Sequence, residues 1–289
     1  MITIGRYEIR SIVAGTLRLD GGAMFGVVPK VLWQNVADVD DSNRILLATR
    51  VLIAVDREAG RTILVDSGCG SKWDARGAQR YAIHYDETAV PNALESMGLG
   101  VGDVTDVIIT HLHFDHSGGL TEWYDQPGGP TQLRYPKARH WIHKKHWEHA
   151  KNPSPKDSGS FVPEDFSLLA DKGVLCWIEG DNPACEIPGM EWFVSHGHTP
   201  GQLHPRFTGE GSSLLFVGDL APTVAHLRLS WLMAFDVEPL VTIREKTGVL
   251  RKCIDDSLML AFPHDPTVGG VMIEGTIERP IVSRTLDLD

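Results

Sequence analysis

The segment Thr110-His111-Leu112-His113-Phe114-Asp115-His116-Ser117-Gly118-Gly119 places three imidazoles and one carboxylate within six positions. Such side chains are Lewis bases, and gathered at one point of the chain they read as ligands for a divalent cation. His111 and His113 are two apart, so in extended backbone they project to the same side. Asp115 and His116 follow where Ser117-Gly118-Gly119 bends the chain, which lets them face a second, neighbouring point. A single ion needs three or four protein ligands and an adjacent pair about seven, so further donors must come from elsewhere. Three candidates stand just past apolar runs: His198 in Ser195-His-Gly-His198-Thr-Pro-Gly201, Asp219 after Leu214 to Gly218, and His264 in Phe-Pro-His264-Asp. His196 competes with His198 for the same place.

Elements that can hold these loops are visible along the chain. Ile9 to Val13, Ile45 to Ala48, Val51 to Val55, Thr62 to Val65 and Val104 to Thr110 are short runs rich in β-branched residues, bounded by Gly, Asp or charge. They read as strands. Ala89 to Met97 has helical spacing and stops at Gly98 and Gly100. Val174 to Ile178, Met190 to Ser195, Ser213 to Val217 and Leu258 to Phe262 are strands by the same criteria, and Pro239 to Cys253 is a helix. The order implies an α/β fold whose site collects beyond the C-terminal ends of strands. Ile63-Leu-Val-Asp66-Ser-Gly68 and Leu214-Leu-Phe-Val-Gly218-Asp219 resemble one another, which points to two related half-sheets. Lys151 to Asp165, with its prolines and serines, reads as a loop or lid within one domain spanning residues 1–289, because donors lie on both sides of it.

Composition narrows the function. The chain carries 13 His against 4 Cys, 42% apolar and 22% charged residues, and a net charge of −11 with histidine neutral. That field disfavours nucleic acid and anionic membrane surfaces. Arg6, Glu8 and Arg10 interrupt any apolar leader, and no run approaches the roughly 18 apolar residues of a membrane span, so a cytoplasmic chain is expected. Cys69, Cys176, Cys185 and Cys253 are scattered and suggest neither a thiolate site nor a disulfide framework.

With its complete H-x-H-x-D-H signature, the sequence resembles the metallo-β-lactamase superfamily of hydrolases over roughly residues 10 to 285. The resemblance implies a four-layered αββα sandwich with two metal ions at one sheet edge. It assigns His111, His113 and His198 to metal 1, Asp115, His116 and His264 to metal 2, and Asp219 to both. Asp66 becomes a supporting group that orients the histidine loop. Leu19 to Trp33 and Gly218 to Arg228 are similar to the YtnP-like quorum-quenching lactonases and the methyl parathion hydrolase group. Zinc is the metal this implies, and an all nitrogen-and-oxygen donor set also tolerates manganese, cobalt or iron. The implied chemistry is hydrolysis of a small lactone, with N-acyl homoserine lactones first, by a hydroxide held between the ions, and with Asp115 shuttling the proton. Phosphotriester or arylester hydrolysis is the alternative on the same site, and iron-dependent redox chemistry of the same fold is a more distant one.

One departure concerns a tyrosine that small lactonases of this superfamily place between the bridging Asp and the last His. The five tyrosines here, Tyr7, Tyr81, Tyr85, Tyr124 and Tyr135, all precede Asp219. That catalytic role is either empty or filled by another group, with His226 the candidate. His140, His143, His146 and His149 recur every three residues and so drift around a helix, which makes them ordinary surface histidines on a strand and a following helix. Met24, Phe25, Trp33 and Trp231 are either an acyl-chain wall or core. A homodimer, supported by exposed Trp or Met near the N-terminal loop, is left open.

Overall fold

A computed structural model describes residues 1–289. Its first sheet contains β1 (Ile2–Ile4), β2 (Tyr7–Asp20), β3 (Arg44–Asp56), β4 (Arg61–Val65), β5 (His84–Tyr85), β6 (Asp106–Ile108), β9 (Arg139–His143) and β10 (Leu175–Ile178). They lie in the order β1-β2-β3-β4-β6-β9-β10, with β5 on β2. Between β6 and β9, β7 (Thr121–Trp123) and β8 (Thr131–Leu133) form a separate hairpin. The second sheet runs β11 (Met190–Ser195), β12 (Gln202–Gly209), β13 (Ser212–Phe216), β14 (Met259–Ala261), β15 (Gly270–Gly275), β16 (Pro280–Thr285) in sequence order.

Period-two alternation explains the layering. Val51, Ile53 and Val55 of β3 pack outward with Val90 and Leu94 of helix Ala89–Ser96, while Leu52 and Ala54 face the other sheet. Leu214 and Phe216 of β13 meet them from that sheet, and Leu215 turns to Val249 and Leu250 of helix Pro239–Asp255. Helix, sheet, sheet and helix thus enclose three apolar cores, the αββα arrangement expected. β4, β6, β9 and β10 are parallel, as are β13 and β14, so the loops after β4, β6, β13 and β14 leave from one edge. There the Leu203 amide of β12 donates to the Thr110 carbonyl at 2.8 Å and ties the two sheets together.

Several elements differ from the sequence expectation. Ile45–Ala48 and Val51–Val55 are one strand, carried through by a buried Arg50 that donates to the Asp265 carbonyl at 3.0 Å and to the Asp289 carboxylate at 2.7 Å. The strand expected over Val174–Ile178 forms as β10 at the edge of the first sheet, beside β9. β12 was hidden by Pro205, whose missing N–H reads as a break. Within Lys151–Asp165, Pro163 opens a helix, Pro163–Asp171, at the position where its lost N–H costs nothing. The histidine ladder does lie on β9 and helix Lys144–Lys151, but His140 and His143 are buried because β9 is an inner strand covered on both faces, and His146 is buried because its helix turns it onto the loops of Leu112 and Pro200. Near the N-terminus Met24 and Trp33 are buried and cannot serve a dimer contact, and the large apolar side chains exposed in that loop are Val27, Val31, Leu32 and Val36. No helix is long and apolar enough to cross a membrane.

Candidate metal centre

Four loops converge at the shared sheet edge. The stretch after β6 carries His111, His113, Asp115 and His116, the turn after β11 carries His198, and the turns after β13 and β14 carry Asp219 and His264. All seven side chains are buried, and they fall into two groups: His111, His113, His198 and Asp219, then Asp115, His116 and His264. Within each group the ligand atoms lie within 4.8 Å of one another. Asp219 faces both. Its Oδ2 is 3.4 Å from His198 Nε2 and 3.9 Å from His111 Nε2, and its Oδ1 is 3.3 Å from His116 Nε2 and 3.2 Å from His264 Nε2.

The outer nitrogens fix which atoms point inward. His116 Nδ1 donates to Asp66 Oδ2 at 2.8 Å, His264 Nδ1 to the Ala48 carbonyl at 2.8 Å, and His198 Nδ1 to Asp236 Oδ1 at 3.0 Å. His111 Nδ1 contacts Thr110 Oγ1 at 3.0 Å. Their Nε2 atoms are therefore lone-pair donors aimed into the cluster. His264 Nε2 lies 2.9 Å from His116 Nε2, and His198 Nε2 lies 3.1 Å from His113 Nδ1. In the first pair both outer nitrogens are spent as donors, so two lone pairs face one another and call for a proton or a cation between them. His111 Nε2 and Asp219 Oδ1 are buried without any hydrogen-bond partner, and such atoms call for an ion or a proton. This donor set fits a pair of divalent cations.

Electrostatics agree. Burial and the neighbouring imidazoles push His111 and His113 well below the ordinary histidine range, which keeps them neutral as ligands must be. Burial also opposes charge on His116, yet Asp219, Asp115 and Asp66 outweigh it and raise that group well above its usual value; His264 shifts the same way through Asp219. Asp219 itself is held well below the carboxylate range, since His116 and His264 overcome the effect of burial. The cluster draws in positive charge.

Asp66 sits in the left-handed region, at φ 61°. There its Oδ1 accepts from the Thr110 amide at 2.8 Å, and its Oδ2 accepts from Thr110 Oγ1 at 2.9 Å as well as from His116. His196 lies outside the cluster: its Nδ1 accepts from the Gly201 amide at 3.0 Å and its Nε2 contacts Asp181 at 3.1 Å. His146, expected at the surface, accepts from the Leu112 amide at 2.7 Å and donates to the Pro200 carbonyl at 3.1 Å, clamping the loops of His111 and His198 together. Sequence reasoning also missed Thr110 and Asp236, which carry no spacing signal of their own.

His226 does not reach the site. Its Nδ1 bonds Thr223 Oγ1 at 2.8 Å, its Nε2 donates to the Met24 carbonyl at 2.8 Å, and its ring stacks on Phe25 at 4.9 Å. With both nitrogens spent inside the wall, no donor is left for a substrate, and the catalytic role anticipated for it is withdrawn. Met24 lines the cavity, whereas Phe25, Trp33 and Trp231 pack behind it. That cavity, about 40 Å³, opens on Asp115, Asp219 and His264 and is walled by Leu19, Met24, Leu47, Phe114, Met233 and Phe235. A larger cleft of about 710 Å³, lined by Arg57, Arg61 and Arg139, lies at the opposite end of the first sheet and holds no metal-ligating cluster.

Two facing sheets with histidine and aspartate loops at one edge define a metal-dependent αββα class, and the chain belongs to the metallo-beta-lactamase superfamily, whose family model matches residues 51–268. Among individual relatives, the chain is 27% identical over 175 residues to the N-acyl homoserine lactonase AttM of Azorhizobium caulinodans, covering 54% of this chain and 59% of that one. The chain thus spans about three fifths of the length of the curated relatives it matches. A probable metal-dependent hydrolase from Staphylococcus aureus superposes with a TM-score of 0.86 at 26% identity, over 99% of this chain and 100% of that one. The dizinc quorum-quenching lactonase AidC shares the fold, with a TM-score of 0.78 at 18% identity over 99% and 97% of the two chains.

Proposed function

We propose that the chain is a dinuclear metal-dependent hydrolase that opens N-acyl homoserine lactones or similar lactones to their hydroxy acids. One observation carries the substrate class: the cavity over the cluster is walled by apolar side chains and no Lys or Arg lines it. A neutral acyl lactone suits such a wall, whereas a free carboxylate or phosphodiester placed away from the ions finds no countercharge in it. His111, His113 and His198 would hold one ion, Asp115, His116 and His264 the other, and Asp219 would serve both, with zinc the favoured metal. The similarity to lactonases supports the same reading.

When bound, such a pair of ions lowers the pKa of water toward about 7 and polarises a carbonyl oxygen. The remaining work falls to the chain. Asp115 is the most exposed of the seven groups, at 8%, and its Oδ2 lies 3.5 Å from His264 Nε2, facing the cavity. It takes the proton released as water adds to the lactone carbonyl and delivers it to the ring oxygen as the acyl C–O bond breaks. Leu19, Met24, Leu47, Met233 and Phe235 shield the reacting centre from bulk water.

The same neutral wall favours a phosphotriester over other phosphate esters, so phosphotriesterase or arylesterase activity is the second reading. Assaying acyl homoserine lactones of several chain lengths beside paraoxon-type triesters and aryl esters separates them. Lactone turnover that a chelator abolishes and zinc restores is expected; no lactone turnover at any chain length would refute the first reading.

A further inference from the structure

Asp236 is buried, is not one of the seven ligand candidates, and uses its two oxygens on two different parts of the site. Oδ1 accepts from His198 Nδ1 at 3.0 Å, and Oδ2 accepts from the Met233 amide at 3.3 Å. Met233 and Phe235 line the cavity, so one carboxylate joins a metal ligand to the substrate wall. The backbone strengthens the join. The Val237 amide donates to the His198 carbonyl at 3.1 Å, and the Glu238 amide to the Gly197 carbonyl at 2.8 Å. From the other side, the Ala234 amide donates to the Ala23 carbonyl at 2.8 Å, next to Met24 of the wall. Segment 151–165 closes on the same unit: Lys156 Nζ bonds the Ala234 carbonyl, Ser160 reaches the cavity, and Phe161 packs on the His113 ring at 4.9 Å.

We infer that Asp236 is a positioning residue that locks the metal ligand His198 and the apolar wall Met233–Phe235 into one unit, on which Lys156 latches segment 151–165. The inference rests on the metal centre proposed above but not on the lactone as substrate. A carboxylate on Nδ1 fixes the ring of His198 and makes Nε2 a stronger donor. The second oxygen pins the wall at a set distance from that donor, so a shift of the wall reaches the ligand through two hydrogen bonds. Asn at this position can accept from only one of the two donors, which separates orientation of the ligand from orientation of the wall.

The test is cobalt binding by the full chain, followed through chelator competition and the Co²⁺ absorption spectrum, with steady-state kinetics alongside. Asp236→Ala is expected to weaken one of two Co²⁺ sites about 10- to 100-fold and alter its spectrum. Asp236→Asn, which preserves shape, must move the Co²⁺ affinity or KM, according to which bond it keeps. Lys156→Met should leave Co²⁺ binding as in the wild type and raise KM about two- to fivefold, the scale of one exposed charged contact. Wild-type affinity, spectrum and KM in Asp236→Asn would overturn the inference, even if the Ala variant failed to fold. A wild-type chain that binds no Co²⁺ would overturn both this inference and the hydrolase reading. Two bound ions without lactone turnover would count against the substrate alone, because the affinity and spectral arms do not need turnover.

Discussion

Asp66 and Asp219 end similar apolar strands, one in each sheet, and both arrive at the same edge. Their carboxylates have opposite fates. Asp66 has both oxygens occupied, by the Thr110 amide, the Thr110 hydroxyl and His116 Nδ1. Asp219 is buried beside four imidazoles with Oδ1 lacking any hydrogen bond. A carboxylate whose lone pairs are satisfied by the protein is a support, and one left with a bare oxygen facing imidazole nitrogens is set up as a ligand. Strand-Asp-Gly patterns alone do not distinguish the two; the destination of each lone pair does.

The sharpest way to break this contrast is Asp219→Ala. It should cost both ions and reduce turnover to background, because each oxygen faces a different cluster; metal analysis checks the first and the lactone assay the second. Asp115→Asn comes next. Proton transfer by a placed carboxylate is worth about 10²–10⁴-fold, so turnover should fall by that order while most of the metal stays, a split visible by comparing rate with metal content. Asp66→Ala should lower metal affinity or activity about 10- to 100-fold, the usual cost of losing a group that orients a ligand, and a loss as complete as that of Asp219→Ala would erase the distinction between them. His196→Ala is the smallest. Its ring bonds Asp181 and the Gly201 amide rather than the cluster, so metal content and rate should stay within about twofold of the wild type, as for a partly exposed group away from the site.

What could be read without coordinates follows from this contrast. The His111–His116 loop is local, so its spacing alone announces a site, and His198, Asp219 and His264 are found by their common place after apolar strands. The layering is equally legible, since alternation in Val51–Val55 and Leu214–Phe216 assigns each face. Supports and walls are not local. Asp236 meets His198 from 38 positions away, His146 meets Leu112 from 34, and neither partner marks the other in sequence. His226 failed for the same reason: its position after Asp219 fitted a substrate role, but its ring turns back to the Met24 carbonyl, 202 positions earlier. Pro205 in β12 shows the converse, a local signal for a break overridden by pairing with Trp192 across the sheet.

The central claim is that Asp219 bridges two metal ions in one hydrolytic site. Metal content per chain, measured in parallel on the purified wild type and Asp219→Ala after both are loaded with zinc and desalted, tests it most directly. About two ions in the wild type and fewer than one in the variant are expected; one ion or none in the wild type, or two retained by a folded variant, would contradict it.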